Sequence, residues 1–138
     1  MDILIYNNKI ESSIIMKKLS KREYEIMKYF WKSERPLCVS DIEECLKTEN
    51  LAYVTIASFI KKLTKKGALK ISHKEGAFIY YLPNIERNEY ERFIIDGFLQ
   101  KNYGTSFIGV VARFCGKEKF SEKEERELLD LLEKFEEK

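Results

Sequence analysis

Three times in this chain a Ser-x-x-Glu pattern stands at the head of a run with helical apolar spacing: Ser20/Glu23, Ser40/Glu43 and Ser121/Glu124. In such a box the serine oxygen accepts from the backbone N–H three residues on, and the glutamate reaches back to the serine N–H. Two donors that every helix start leaves open are thereby satisfied. Each box predicts a helix and the place where it begins. In "LSKREYEIMKYFW", Leu19 can staple onto Tyr24, and Tyr24, Met27, Phe30 and Trp31 recur at helical spacing, predicting a helix over 21–32 that ends before Pro36. "VSDIEECLK" adds a short second helix with Ile42, Cys45 and Leu46 as its stripe. A third helix, about 52–66, lies in "AYVTIASFIKKLTKKGALK": Ile56, Phe59, Ile60 and Leu63 share one face, and Gly67 supplies the left-handed closing residue.

Two segments of strand character follow, "ALKISH" and "AFIYYLP", with "KEG" as the turn between them. Helix, helix, helix, strand, strand is the order of a winged helix-turn-helix domain, assigned to 19–83 with the wing at about 69–82. Beyond Pro83 the apolar residues return to helical spacing, first as Tyr90, Phe93, Ile94, Phe98 and Leu99. Phe107, Val110, Val111 and Phe114 form a second stripe, and Leu128, Leu129, Leu132 and Phe135 a third. These helices, 84–138, are too short and too amphipathic to build a second core, so their stripes call for the first domain or a second copy of the chain. The expected fold is mainly α with a small β-hairpin wing, an α+β chain whose C-terminal helices dimerise. Residues 1–18 are an extension of unknown role; Met16 stands where regular patterning begins.

Composition narrows the chemistry. Cys38, Cys45 and Cys115 form no CxxC pair, and the single histidine, His73, completes no zinc pattern, so neither a metal nor a disulfide framework is expected. Trp31, Tyr80 and Tyr81 read as core packing, and His73 as an exposed residue at the wing tip. No run of about 18 apolar residues marks a membrane span and no secretory signal opens the chain, which points to a cytoplasmic protein. A nucleophile-and-base pair or a phosphate-cradling glycine loop is missing too, so neither an enzyme nor a small-molecule cofactor is expected.

Charge is informative through its distribution rather than its net value of +2. Residues 51–74 hold six lysines (61, 62, 65, 66, 70 and 74) and no carboxylate. With the apolar face of the third helix turned inward, Thr55, Ser58, Lys61, Lys62 and Lys65 look outward, and the wing adds Lys70 and Lys74. Short hydroxyl side chains suit base edges and ammonium groups suit phosphates. A duplex DNA surface is therefore expected, formed by these residues with Ser40 and Tyr53. The alternative is a winged-helix module that binds an acidic protein through the same lysines.

The segments "LSKREYEIMKYFW", "VSDIEECL", "AYVTIASFIKKLTKKGAL" and "YYLP", followed by "SFIGVVARFCGKEKFSEKEERELLDLLEKF", resemble the penicillinase repressor family from about Leu19 to Phe135. That resemblance implies a cytoplasmic homodimeric repressor whose winged helices bind a palindromic operator ahead of resistance genes. It also implies a partner, a membrane sensor protease that responds to β-lactam by cleaving the repressor in its dimerisation region. Arg113-Phe114 stands where the family has its scissile Asn-Phe bond. Leu51 replaces a common tryptophan before the third helix, Ala57 a frequent basic residue within it, and Ala77 a frequent wing arginine. The copper-responsive members end in a cysteine-rich tail, whereas this chain ends in "EKFEEK".

Overall fold

The computed structural model describes residues 17–136, so residues 1–16 of the expected extension lie outside the described residues. The chain forms two compact units, one ending at Glu91 and the other beginning at Arg92. The first contains α1 (Lys21–Lys32), α2 (Val39–Cys45), a 3-10 turn (Lys47–Glu49), α3 (Tyr53–Lys65), β1 (Leu69–Glu75), β2 (Phe78–Pro83) and the first residues of α4 (Arg87–Tyr103). The rest of α4, α5 (Phe107–Phe114) and α6 (Glu122–Glu136) make up the second. Mostly helical with a two-stranded antiparallel hairpin, this is the α+β winged architecture expected from the pattern of elements.

At the start of α1 the capping box forms as drawn from sequence: Ser20 N–H donates to Glu23 Oε1 at 2.7 Å, and Glu23 N–H to Ser20 Oγ at 3.2 Å. The same buried carboxylate accepts from Lys66 Nζ at 2.6 Å, tying the first turn of α1 to the C-cap of α3. Burial raises the pKa of Glu23, but Lys66 and the Ser20 donors outweigh it and hold the carboxyl below its ordinary range.

The expected box at Ser40 and Glu43 does not form. The helix begins two residues sooner, with Cys38 as its N-cap and Asp41 reaching back to accept from Cys38 N–H at 2.9 Å and from its thiol at 3.3 Å. Leu37, just ahead, is tied by paired backbone bonds to Tyr81 (N–H to O at 3.1 Å and 2.8 Å), which sets where the chain can turn into α2. Ser40 consequently sits inside the first turn, half-buried.

Leu37 also widens the wing to a short third strand at one position. Register runs from Leu69 opposite Pro83 to Glu75 opposite Phe78, with Ser72 as an extra residue between Ile71 and His73. Two devices join the wing to α3. Ala68 N–H donates to Leu63 O at 2.9 Å and Gly67 N–H to Thr64 O at 3.1 Å, a closing motif that requires the positive φ of 84° at Gly67. Asn84 then clamps the exit of β2, its backbone N–H on Ala68 O at 2.8 Å and its side-chain amide on Gly67 O at 3.1 Å.

Between these elements lies the core: Ile26, Met27 and Phe30 of α1, Ile42 of α2, Ile56, Ile60 and Leu63 of α3, and Leu69 of β1, all fully or almost fully buried. Tyr90, expected among the dimerisation residues, is part of this core. Its hydroxyl accepts from Leu19 N–H at 2.8 Å, and its ring lies 5.8 Å from that of Tyr24 and 6.1 Å from that of Trp31. Residues 84–91, grouped on sequence with the C-terminal helices, thus pack with the winged unit, where Ile85 is also buried and its carbonyl accepts from Trp31 Nε1. In the second unit, Ser106 caps α5 and the Ser121/Glu124 box caps α6 as expected, with reciprocal bonds of 3.1 Å and 3.2 Å.

Candidate nucleic-acid interface

Helix α3 carries the candidate surface, and its orientation follows from its buried stripe. With Ile56, Ile60 and Leu63 inward and fully buried, the helical repeat puts Val54, Ser58, Lys61 and Lys65 on the ridge opposite, flanked by Thr55 and Lys62 on one side and Ala57 on the other. Val54, Thr55, Ser58, Lys61, Lys62 and Lys65 are exposed. Read from N- to C-terminus, the ridge presents an apolar group, a hydroxyl and then cations. Phe59, assigned to the inner face, sits at its edge half-buried, with Lys62 Nζ over its ring at 5.6 Å.

The first turn is open to a ligand. Its cap, Ala52, offers no side-chain acceptor and no acidic residue lies in the turn, so the positive end of the helix dipole is uncompensated. Tyr53 begins the helix, 44% exposed. The preceding turn is shaped by Asn50, whose φ of 52° is left-handed, a conformation that asparagine tolerates better than most residues.

Five of the six clustered lysines behave alike and one does not. No ion pair among the described residues engages Lys61, Lys62, Lys65, Lys70 or Lys74, all exposed, whereas Lys66 is held by Glu23. The five are the lysines expected on sequence to face DNA, and Lys66 is the one left out of that set. On the wing, His73 stacks on Tyr80 with ring centroids 4.9 Å apart, its Nε2 lying 3.2 Å from Glu75. Tyr80 and Tyr81, both read as core, are half-buried wing residues, and Tyr81 is bridged through its backbone to Leu37.

Against models of known families, residues 19–134 match the penicillinase repressor. The chain belongs to the penicillinase repressor family. Its similar proteins include the penicillinase repressor of Bacillus licheniformis, 34% identical over 115 residues, covering 83% of this chain and 89% of that one. The penicillinase repressor of Staphylococcus aureus is 27% identical over 114 residues, 83% of this chain and 90% of its own length. The methicillin resistance regulatory protein MecI of S. aureus strain N315 is 28% identical over 116 residues, 84% and 94% of the two chains. The solution structure of the DNA-binding domain of the repressor BlaI aligns at 35% identity over 55% of this chain and 94% of that one, with a TM-score of 0.47.

Penicillinase repressors are transcriptional regulators, not enzymes, in line with the expectation from sequence. Among the described residues of this family member, no group of three or more His, Cys, Asp or Glu could hold a metal ion, and no helix is long and apolar enough to cross a membrane. The cysteines are spread: Cys38 is buried, and Cys45 and Cys115 are exposed. Partial desolvation of its sulfur, with Asp41 and Glu44 nearby, pushes the thiol of the otherwise exposed Cys45 up, away from the thiolate that reactive cysteines need.

The C-terminal stripes divide less cleanly than their spacing suggested. Phe98, Phe107, Phe114, Leu132 and Phe135 are exposed; Phe93, Ile94, Val110, Val111, Leu128 and Leu129 are half-buried. Ile95, Tyr103 and Leu131, not singled out on sequence, are exposed with them. Val54, likewise not singled out on sequence, is an exposed apolar residue on the outer ridge of α3.

Proposed function

We propose that this penicillinase repressor family member is a homodimeric DNA-binding repressor that reads a palindromic operator with α3 and the wing. The observation that carries the reading is the carboxylate-free ridge of α3, opposite a fully buried stripe and continued by Lys70 and Lys74 on β1. Such a surface neutralises phosphates and releases counterions, so affinity should fall steeply with salt. Dimerisation is supported by the C-terminal helices, where Phe114 is 90% and Phe135 67% exposed. Apolar groups so exposed on short helices favour a second copy as their cover. Two copies related by a twofold axis present their recognition helices to successive major grooves, roughly 34 Å apart.

The names of the relatives, penicillinase repressor and methicillin resistance regulatory protein, support a β-lactam-resistance-type regulon for this chain. Release of the operator by an upstream sensor protease is what the family resemblance implies. Arg113 and Phe114 lie in the last turn of α5, with Arg113 Nη1 donating to Tyr103 O at 3.3 Å, so cleavage between them requires that turn to open. A single intact band on an immunoblot before and after β-lactam challenge rules that step out.

Anisotropy titration of the full chain on DNA upstream of its own gene, at two salt concentrations, tests the central reading. Sequence-preferring binding that weakens with salt is expected. Its absence at micromolar protein overturns the repressor assignment.

A further inference from the structure

We infer that Val54 is a specificity-determining residue that reads the C5 methyl group of a thymine in each half-site. The inference rests on the DNA-binding reading and adds to it a base and an atom. Val54 is 77% exposed, the highest value among the large apolar residues of the winged unit. It lies in the first turn of α3, on the ridge opposite Ile56, Ile60 and Leu63, one turn before Ser58. A β-branched residue in an exposed helical turn is a poor choice for helix stability alone. Along its ridge Val54 is followed by Ser58, Lys61 and Lys65 rather than by further apolar groups, and its exposed neighbours Ala52 and Tyr53 are a small residue and one that carries a hydroxyl. What surrounds it is suited to nucleic acid.

When a recognition helix enters the major groove, its N-terminal residues meet the base edges. Base edges there are donors and acceptors, with one exception, the thymine methyl, the only major-groove group that an isopropyl side chain can favour over water. Ser58, one turn on, can hydrogen-bond an adjacent base, and Lys61 and Lys65 lie further towards the phosphates. The same ridge thus supplies an apolar probe, a polar probe and two anchors in order along the helix.

Deoxyuridine in place of thymidine removes that methyl and leaves pairing intact, which isolates the contact. Selection from a random duplex pool by the full chain provides the probe, and each thymine of the selected sequence is then replaced singly by deoxyuridine. For the native chain one replacement per half-site should weaken binding about fourfold, the effect of leaving one methyl group in water. Val54→Ala should bind the unmodified probe more weakly and lose that penalty at that thymine alone, while its affinity for random duplex stays at the native level. An equal penalty in both proteins at every thymine overturns the inference and leaves the repressor reading intact. Failure of the pool to yield a preferred sequence overturns both.

Discussion

In the unit that ends at Glu91, side chains from α1, α2, α3 and β1 lose essentially all contact with solvent, and a buried carboxylate is paired and capped. From Arg92 onward only Ala112 is buried among the described residues, while Phe98, Phe107, Phe114 and Phe135 face solvent. Both units contain well-capped amphipathic helices, so helix formation is not what separates them. The difference lies in closure. Three helices and a hairpin of the first unit enclose one another's apolar faces, whereas the second unit has too little chain to cover its own. Stability of the single chain is therefore concentrated before residue 92, and the apolar surface after it is available for association.

Phe30→Ala tests the first half of that contrast most severely. Emptying a fully buried aromatic site should remove about 3–5 kcal/mol in urea unfolding; a loss below about 1 kcal/mol would mean that the core is not where the fold is held. Lys66→Met, which leaves Glu23 buried without its cation, should lose about 2–3 kcal/mol, discounted because Lys66 is partly exposed. The acid limb sharpens this. Glu23 is held below its ordinary value of 4.5 in the folded chain, so between the two values the unfolded chain takes up the proton first. Native stability is thus present above pH 4.5 and declines as the pH falls through the window below it, a slope that Lys66→Met should flatten.

Phe114→Asp probes the second unit. Unfolding free energy of the isolated chain should change by less than about 0.5 kcal/mol, since the side chain is exposed, while self-association measured by sedimentation weakens at least about tenfold. A large stability loss without a change in association would reverse the contrast between the units. The smallest effect is expected from Lys62→Ala, on the same helix as Lys66 but with no ion pair and only the Phe59 ring beneath it: a stability loss of at most about 0.5–1 kcal/mol, uniformly weaker DNA binding and a salt slope reduced by about one.

Side-chain chemistry within a few residues made much of this architecture legible. Ser20 and Ser121 announce their helices because the box is complete in four residues, and Gly67 closes α3 because few other residues accept its φ. The N-cap role of Cys38 is not legible in the same way, because a thiol is not among the usual capping groups and Asp41, two residues before Glu43, makes the backbone contact instead. The Leu37–Tyr81 bridge and the extra residue at Ser72 involve single positions and leave no periodic trace.

The candidate surface divides in the same way. Sequence alone determined that α3 is amphipathic, lysine-rich and free of carboxylates, since periodicity and charge are properties of the chain order. Only the tertiary structure decided that Lys66 belongs to Glu23, 43 residues away, and that Tyr90 belongs to the winged core. Each of these depends on what distant segments bring alongside, and local spacing carries no record of that.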